Sequence, residues 1–129
     1  MIFDTSSIYK AIETNNIDAL IDGKTLNLSL YELGNVIWKY VVRGKISVKE
    51  AEKLLALIKK TIYLMEIVEI GLNLRALTIA IEQNISYYDA SYIQLALQEK
   101  DYLITEDKKL QQIAKKIGLK VASFEEIIK

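Results

Sequence analysis

Short apolar runs alternate with longer amphipathic segments along the whole chain, and that alternation leaves few folds open. Ile2 and Phe3 form the first run, and an acid, Asp4, closes it. Leu26, Leu28 and Leu30 alternate with Asn27 and Ser29 and read as a second strand. Tyr102-Leu103-Ile104 and Lys120-Val121-Ala122 read as two more. Thr61–Glu69 is assigned to a strand, although Ile62, Leu64, Ile67 and Ile70 do not alternate cleanly. Between these runs lie helical patterns with recognisable ends. Thr5, Ser6 and Ser7 offer caps for a helix from Ile8 to Glu13, and Asn15 or Asn16 caps a short one over Ile17–Ile21. A helix opening at Ser29 or Tyr31 carries Leu33, Val36, Ile37, Tyr40 and Val41 at helical spacing. Ser47 and Glu50 form a capping box for the next helix, and Ser123 and Glu126 form another near the end of the chain. Leu72–Gln83 is helical, Asp89 is placed to cap Ala90–Glu99, and Thr105-Glu106-Asp107 opens Lys108–Lys116. Mostly apolar strands separated by helices are those of a parallel sheet covered on both faces. The expected fold is a three-layer α/β/α domain with a short, mainly parallel central sheet, one domain over residues 1–129.

The chemistry open to such a domain is narrowed by two missing residue types. There is no cysteine and no histidine. Thiol and imidazole catalysis, disulfides, zinc–thiolate sites and iron–sulfur clusters are thereby excluded. Catalysis is left to carboxylates, lysine, tyrosine, hydroxyls or a metal held by oxygen. Seventeen basic residues balance seventeen acidic ones, so no strong overall charge marks a nucleic-acid binder. Hydrophobic residues make up 51% of the chain, enough for a core without covalent staples. The lysine-rich, cysteine-free composition matches hyperthermophile proteomes, and a low-GC genome produces the same bias. No apolar run approaches the roughly 20 residues of a membrane helix. The opening MIFDTSS is not a signal peptide, so a soluble, cytoplasmic protein is expected.

Four acids stand apart from the solvated helix faces. Asp4 follows the first strand, Asp107 follows another, and Glu32 and Asp89 are expected at helix starts. In an open parallel sheet, strand C-termini and the following helix N-termini share the edge where ligands bind. These four residues can therefore converge although no two are close in sequence. Each of them, taken singly, also has a structural use, since an acid at a helix N-terminus caps free N–H groups and suits the dipole. Together they repel one another unless a cation lies between them or their pKa values rise. An all-oxygen set favours Mg²⁺ or Mn²⁺.

At this point the chain resembles the PIN-domain family, and within it the VapC-type toxin ribonucleases of toxin–antitoxin pairs. Four segments carry the resemblance in order: MIFDTSS, SLYELGNVIWK, YYDASYIQLALQE and LITEDKKL. It implies a PIN-like α/β/α fold and an acidic site of Asp4, Glu32, Asp89 and Asp107. Ser6, Asn35 and Thr105 match the polar positions around that site. The implied activity is metal-dependent hydrolysis of RNA by an endoribonuclease using Mg²⁺ or Mn²⁺. Asp4 and Asp89 are expected to meet the metal directly, and Glu32 and Asp107 directly or through water. A small antitoxin partner and a homodimer follow from the same likeness. The alternatives are a PIN-type nuclease of RNA processing or quality control, and a non-catalytic α/β binding module. Two features depart from the family pattern. Arg43 and Arg75 are the only arginines, and Glu106 stands beside Asp107 as a rival fourth acid. Tyr87, Tyr88 and Tyr92 cluster around Asp89 as base-stacking or packing residues. Lys39, Arg43 and Lys45 are phosphate contacts or a solvated helix end, and Trp38 is a packing or dimer-contact residue.

Overall fold

Ile2–Phe3 forms β1, the middle strand of a five-stranded, all-parallel sheet. The structure is a computed structural model and describes residues 1–128. After β1 come α1 (Thr5–Glu13), a 3-10 turn (Ile17–Leu20), β2 (Lys24–Leu26), α2 (Leu28–Val42) and α3 (Val48–Ile62). Then follow β3 (Glu66–Val68), α4 (Leu74–Gln83), α5 (Tyr87–Glu99) and β4 (Leu103–Ile104). The described chain finishes with α6 (Lys108–Ile117), β5 (Val121–Ala122) and α7 (Phe124–Ile127). The strand order is β3-β2-β1-β4-β5. The chain therefore builds outward from β1 on one side and then on the other, and the topological switch lies between β1 and β4.

The pleat of β1 and β4 divides the interior in two. Ile2 pairs with Leu103, and both point into a core shared with Ile93, Leu95 and Ala96 of α5 and Leu110 of α6. Phe3 pairs with Ile104, and both point into the opposite core with Ile8 of α1, Leu33 of α2 and Ile58 of α3. Successive side chains on a strand face opposite sides, so a two-residue strand anchors one residue in each layer. The three-layer α/β/α architecture follows. Among the described residues no helix is long and apolar enough to cross a membrane.

Several boundaries differ from the sequence reading. The second strand is Lys24–Leu26, and Leu28 and Leu30 belong to α2. The last ladder contact is Asn27 N–H to Val68 O, after which Asn27 turns to helical angles and the Ser29 hydroxyl returns to Leu26 O. The polar Lys24 masked this strand; its ammonium is satisfied by Glu66 and Glu99. α3 runs through Ile62, leaving only Glu66–Val68 of the expected Thr61–Glu69 strand. α1 starts at Thr5 with Asp4 as its cap, and α5 starts at Tyr87 with Ser86 as its cap. Asp89 is thus inside the first turn of α5 rather than its cap, and Glu32 lies in the second turn of α2 rather than at its start. Both expected capping boxes, Ser47/Glu50 and Ser123/Glu126, are formed.

Gly23 leads into β2 with its Cα against the Phe3 ring, and an added Cβ would lie 2.5 Å from Phe3 Cε2. The ring is buried beside Leu20 O, 3.0 Å from the same point, and has little room to move. Gly23→Ala is expected to cost about 1–3 kcal/mol through overpacking. Urea unfolding of the two proteins measures the difference directly.

Candidate active site

The end of β1 places Asp4 at the C-terminal edge of the sheet, on the switch between β1 and β4. Its backbone is extended, so its side chain reaches forward to cap α1. Oδ1 accepts from Ser7 N at 3.0 Å and from Ser6 Oγ at 2.7 Å. Oδ2 accepts from Thr105 Oγ1 at 2.5 Å, across from the end of β4. Asp4 is only 7% exposed. Burial pushes its carboxyl up from 3.8 to about 6, against the pull of the hydrogen bonds from Thr105, Ser6 and Ser7. A carboxylate so placed has donors around it but no cation. Ser6 also accepts from Glu106 N at 2.9 Å, and Thr105 Oγ1 accepts from Asp107 N at 3.1 Å. The hydroxyls of Ser6 and Thr105 thereby tie α1 to the turn that opens α6.

Glu32 approaches from α2. Its Oε1 accepts from Thr5 Oγ1 at 2.7 Å and from the Tyr92 hydroxyl at 3.1 Å. Thr5 and Tyr92 also meet each other at 3.3 Å. Tyr92 is buried, and burial, with Glu32 and Asp4 nearby, holds its phenol above its ordinary range. It is a strut beneath Glu32 and not a surface for stacking. Asp89 is half-buried near the start of α5, its N–H bonded to Ser86 Oγ. Its carboxyl is raised by burial first, then by the negative charges of Asp107 and Glu32, with Ser86 and Lys109 opposing. Asp107 is exposed and caps α6 through Leu110 N at 3.1 Å. A small cleft of about 170 Å³ opens between Ser86, Asp89, Asp107 and Lys109.

Of the four acids singled out in the sequence, Asp89 lies within electrostatic reach of Glu32 and Asp107, and Glu32 and Asp4 both act on Tyr92. Asp4 is joined to Thr105, Glu32 to Thr5 and Tyr92, and Asp89 feels Glu32 and Asp107. The ion pairs found among the described residues, Met1–Asp101, Lys10–Glu13, Lys24–Glu66 and Lys24–Glu99, involve none of them. As the side chains stand, no three acids among the described residues are gathered tightly enough to hold one ion. Hydrogen bonds engage both oxygens of Asp4, Oε1 of Glu32 and Oδ1 of Asp107. The donor set itself fits a hard divalent cation: it is all oxygen and anionic, with Lys109 beside Asp89 as a partial counter-charge.

Other residues sort themselves by contact. Glu106 is occupied, its Oε2 accepting from Phe124 N at 2.8 Å. Asn35 and Lys39 line a second cleft of about 470 Å³ beside Glu32. Arg43 ends α2, and Lys45 lies 5.9 Å over the Tyr40 ring. Tyr87 is structural, donating to Gly71 O and accepting from Asn73 N. Trp38 is exposed on α2. Thr5 and Tyr31 escaped the sequence reading. Thr5 sat inside a run of three hydroxyl residues with nothing to single it out, and Tyr31 lay inside a helical pattern.

An acidic, hydroxyl-braced edge on a β3-β2-β1-β4-β5 sheet defines an α/β domain with its site at the switch point. The PIN domain profile matches residues 1–116, and the chain belongs to the PIN domain family. It is 32% identical over 85 residues to Exonuclease VapC9 of Pyrobaculum aerophilum, covering 66% of this chain and 62% of that protein. It is 29% identical over 89 residues to Ribonuclease VapC3 of the same organism, covering 68% of each chain. The matched stretch thus falls short of two thirds of the first relative's length. The crystal structure of PAE2754 from Pyrobaculum aerophilum superposes with a TM-score of 0.83 at 26% identity, covering 98% of this chain and 92% of the other. A PilT N-terminus domain protein of Sulfolobus solfataricus shares the fold, with a TM-score of 0.55 at 15% identity and coverage of 98% and 88%.

The raised Asp4 carboxyl carries a pH signature. The folded protein keeps this proton to about pH 6, whereas the unfolded chain releases it near the ordinary 3.8. Between those values the folded state binds more protons, so stability falls as pH rises, by on the order of 3 kcal/mol in all. Asp4→Asn keeps an oxygen for Ser7 N and removes the charge. Its stability relative to wild type is expected to be least favourable near pH 4 and to rise through pH 6 in metal-free buffer. Denaturation across pH 3.5–8 reads this slope, and parallel curves would exclude a raised Asp4.

Proposed function

We propose that the protein is a metal-dependent endoribonuclease, the toxin of a toxin–antitoxin pair, built as one PIN domain over residues 1–129. The observation that carries the reading is the gathering of acids at the switch-point edge. Asp4 is buried among neutral hydrogen-bond donors, and Asp89 is raised first by burial and then by the charges of Asp107 and Glu32. Structural caps alone do not require acids that repel one another. The printed names of the relatives, an exonuclease and a ribonuclease, agree with hydrolysis of nucleic acid.

In this reading Asp4 and Asp89 hold Mg²⁺ or Mn²⁺, with Glu32 and Asp107 completing the set. The ion supplies charge neutralisation at the phosphate and activation of water. The chain's own residues do the positioning. Thr105 and Ser6 fix the plane of the Asp4 carboxylate, and Thr5 and Tyr92 fix Glu32 through Oε1. Asn35, on the same face of α2 as Glu32, supplies an amide at the cleft wall. The hydroxyls of Thr5, Ser6 and Thr105 donate to Glu32 and Asp4, and in this reading they orient those carboxylates and do not act as nucleophiles. Glu106 is committed to Phe124 N, which leaves Asp107 as the fourth acid.

A small antitoxin that covers this edge is the expected inhibitor. The protein also pairs with a second copy in this reading. Leu74, Leu77 and Ile81 form an exposed stripe along α4, 80%, 46% and 70% exposed, too apolar to suit an isolated monomer.

Cleavage of a labelled circular single-stranded RNA should require added Mg²⁺ or Mn²⁺ and stop with excess chelator. A circle has no ends, so its linearisation establishes internal cutting. Asp4→Asn and Asp107→Asn are expected to lower the rate by about 100-fold or more, as lost charge stabilisation does elsewhere. Glu106→Gln should stay within about threefold of wild type, since it serves only a cap. Robust cutting in chelator would defeat the metal-dependent reading. Light scattering should give twice the 14.7 kDa chain mass, and Leu74→Lys with Ile81→Lys should return the monomer.

A further inference from the structure

Three tyrosines, Tyr31, Tyr63 and Tyr88, stand exposed, and two of them, Tyr31 and Tyr88, border the acidic edge. Tyr9 and Tyr40 pack on each other with centroids 5.9 Å apart, Tyr87 and Tyr92 are hydrogen-bonded, and Tyr102 lies beneath Lys120. Tyr31 on α2 and Tyr88 on α5 are 77% and 60% exposed. They come from different layers of the sandwich yet share the same two clefts. One, of about 470 Å³, contains Glu32, Asn35 and Lys39. The other, of about 260 Å³, has a floor that includes Leu26 and Ile70. Exposed aromatic rings over apolar floors are costly to keep in water, and a flat apolar ligand removes that cost. Lys39 gives the larger cleft a cation next to an otherwise acidic edge.

We propose that Tyr31 and Tyr88 form a nucleotide subsite beside Glu32, in which an unpaired base stacks on the tyrosine rings and Lys39 takes an adjoining phosphate. The inference rests on the nuclease reading and adds to it a residue-level account of how the strand is gripped. Stacking on aromatic rings tolerates any base and needs a free base face, which a duplex does not offer. One lysine beside the rings supplies the backbone contact that arginine-poor α2 otherwise lacks. Asn35, between Glu32 and Lys39 on one helix face, presents an amide to the base edge or sugar.

The test separates grip from chemistry. Binding of a fluorescein-labelled ten-nucleotide single strand is followed by anisotropy without divalent metal, and cleavage of the same strand gives KM and kcat with Mn²⁺. Tyr31→Ala and Tyr88→Ala are each expected to weaken binding and raise KM about 5- to 100-fold, with kcat changed far less. Tyr31→Phe and Tyr88→Phe keep the ring and should match wild type. Lys39→Gln should lower the slope of log Kd against log salt by about 0.7. Both tyrosines are exposed, so an unchanged Tm confirms that the variants are folded. Cleavage by wild type with KM and Kd indifferent to the alanine changes would overturn the subsite and leave the nuclease reading standing. Phe variants as weak as Ala variants would also overturn it, because the ring would not be the contact. Tyrosine-dependent binding with no cleavage under any metal would uphold the subsite and end the nuclease reading. Absence of both binding and cleavage would remove both.

Discussion

The hydrogen bond between Thr105 and Asp4 is the contact on which the rest of the site depends. It joins the ends of two adjacent parallel strands at the point where the sheet changes direction of growth. Asp4 then caps α1, Ser6 on α1 receives Glu106 N, and Thr105 receives Asp107 N. One buried carboxylate therefore fixes the start of α1 and the turn into α6 together. A buried charge held only by neutral donors is costly. Its retention there is hard to explain by capping, since an exposed cap gives the same hydrogen bond without the burial.

The two-residue strands make the same economy visible in packing. β1 and β4 each contribute one side chain to either core, and nothing longer is needed because parallel neighbours complete the ladder. The strands are then short enough that their C-terminal ends, with α1 and α6 behind them, crowd acids and hydroxyls into one edge. Glu32 and Asp89 enter from the two helical layers, α2 on one side and α5 on the other. Tyr92 spans the gap, buried in the α5 core with its hydroxyl on Glu32. The site is thus held by both cores, and a change such as Gly23→Ala, which presses on Phe3, acts on the residue next to Asp4.

Part of this was legible because local chemistry repeats at fixed offsets. The Ser47/Glu50 and Ser123/Glu126 boxes and the apolar pairs of β1, β4 and β5 are written in nearby residues. The boundaries that moved did so where a tertiary partner overrode local pattern. Lys24 enters β2 because Glu66 and Glu99 receive its charge, and Leu28 and Leu30 leave the strand because β3 supplies no partner beyond Val68. Asp89 yielded its capping place to Ser86, whose hydroxyl one turn earlier accepts from the N–H of Asp89 itself.

The sequence alone narrowed the chemistry: without cysteine or histidine, a site here is left to carboxylates, hydroxyls, lysine, tyrosine or a metal held by oxygen. It also determined the alternation that makes a parallel α/β sheet, because periodicity of two and of 3.6 is a local property. Only the tertiary structure decided which acids face one another, that Glu106 turns away to Phe124 while Asp107 stays exposed, and that Tyr92 is a buried strut while Tyr31 and Tyr88 stand open. Those outcomes depend on through-space burial and on partners up to 101 residues apart, as Thr105 is from Asp4. No local pattern encodes such distances.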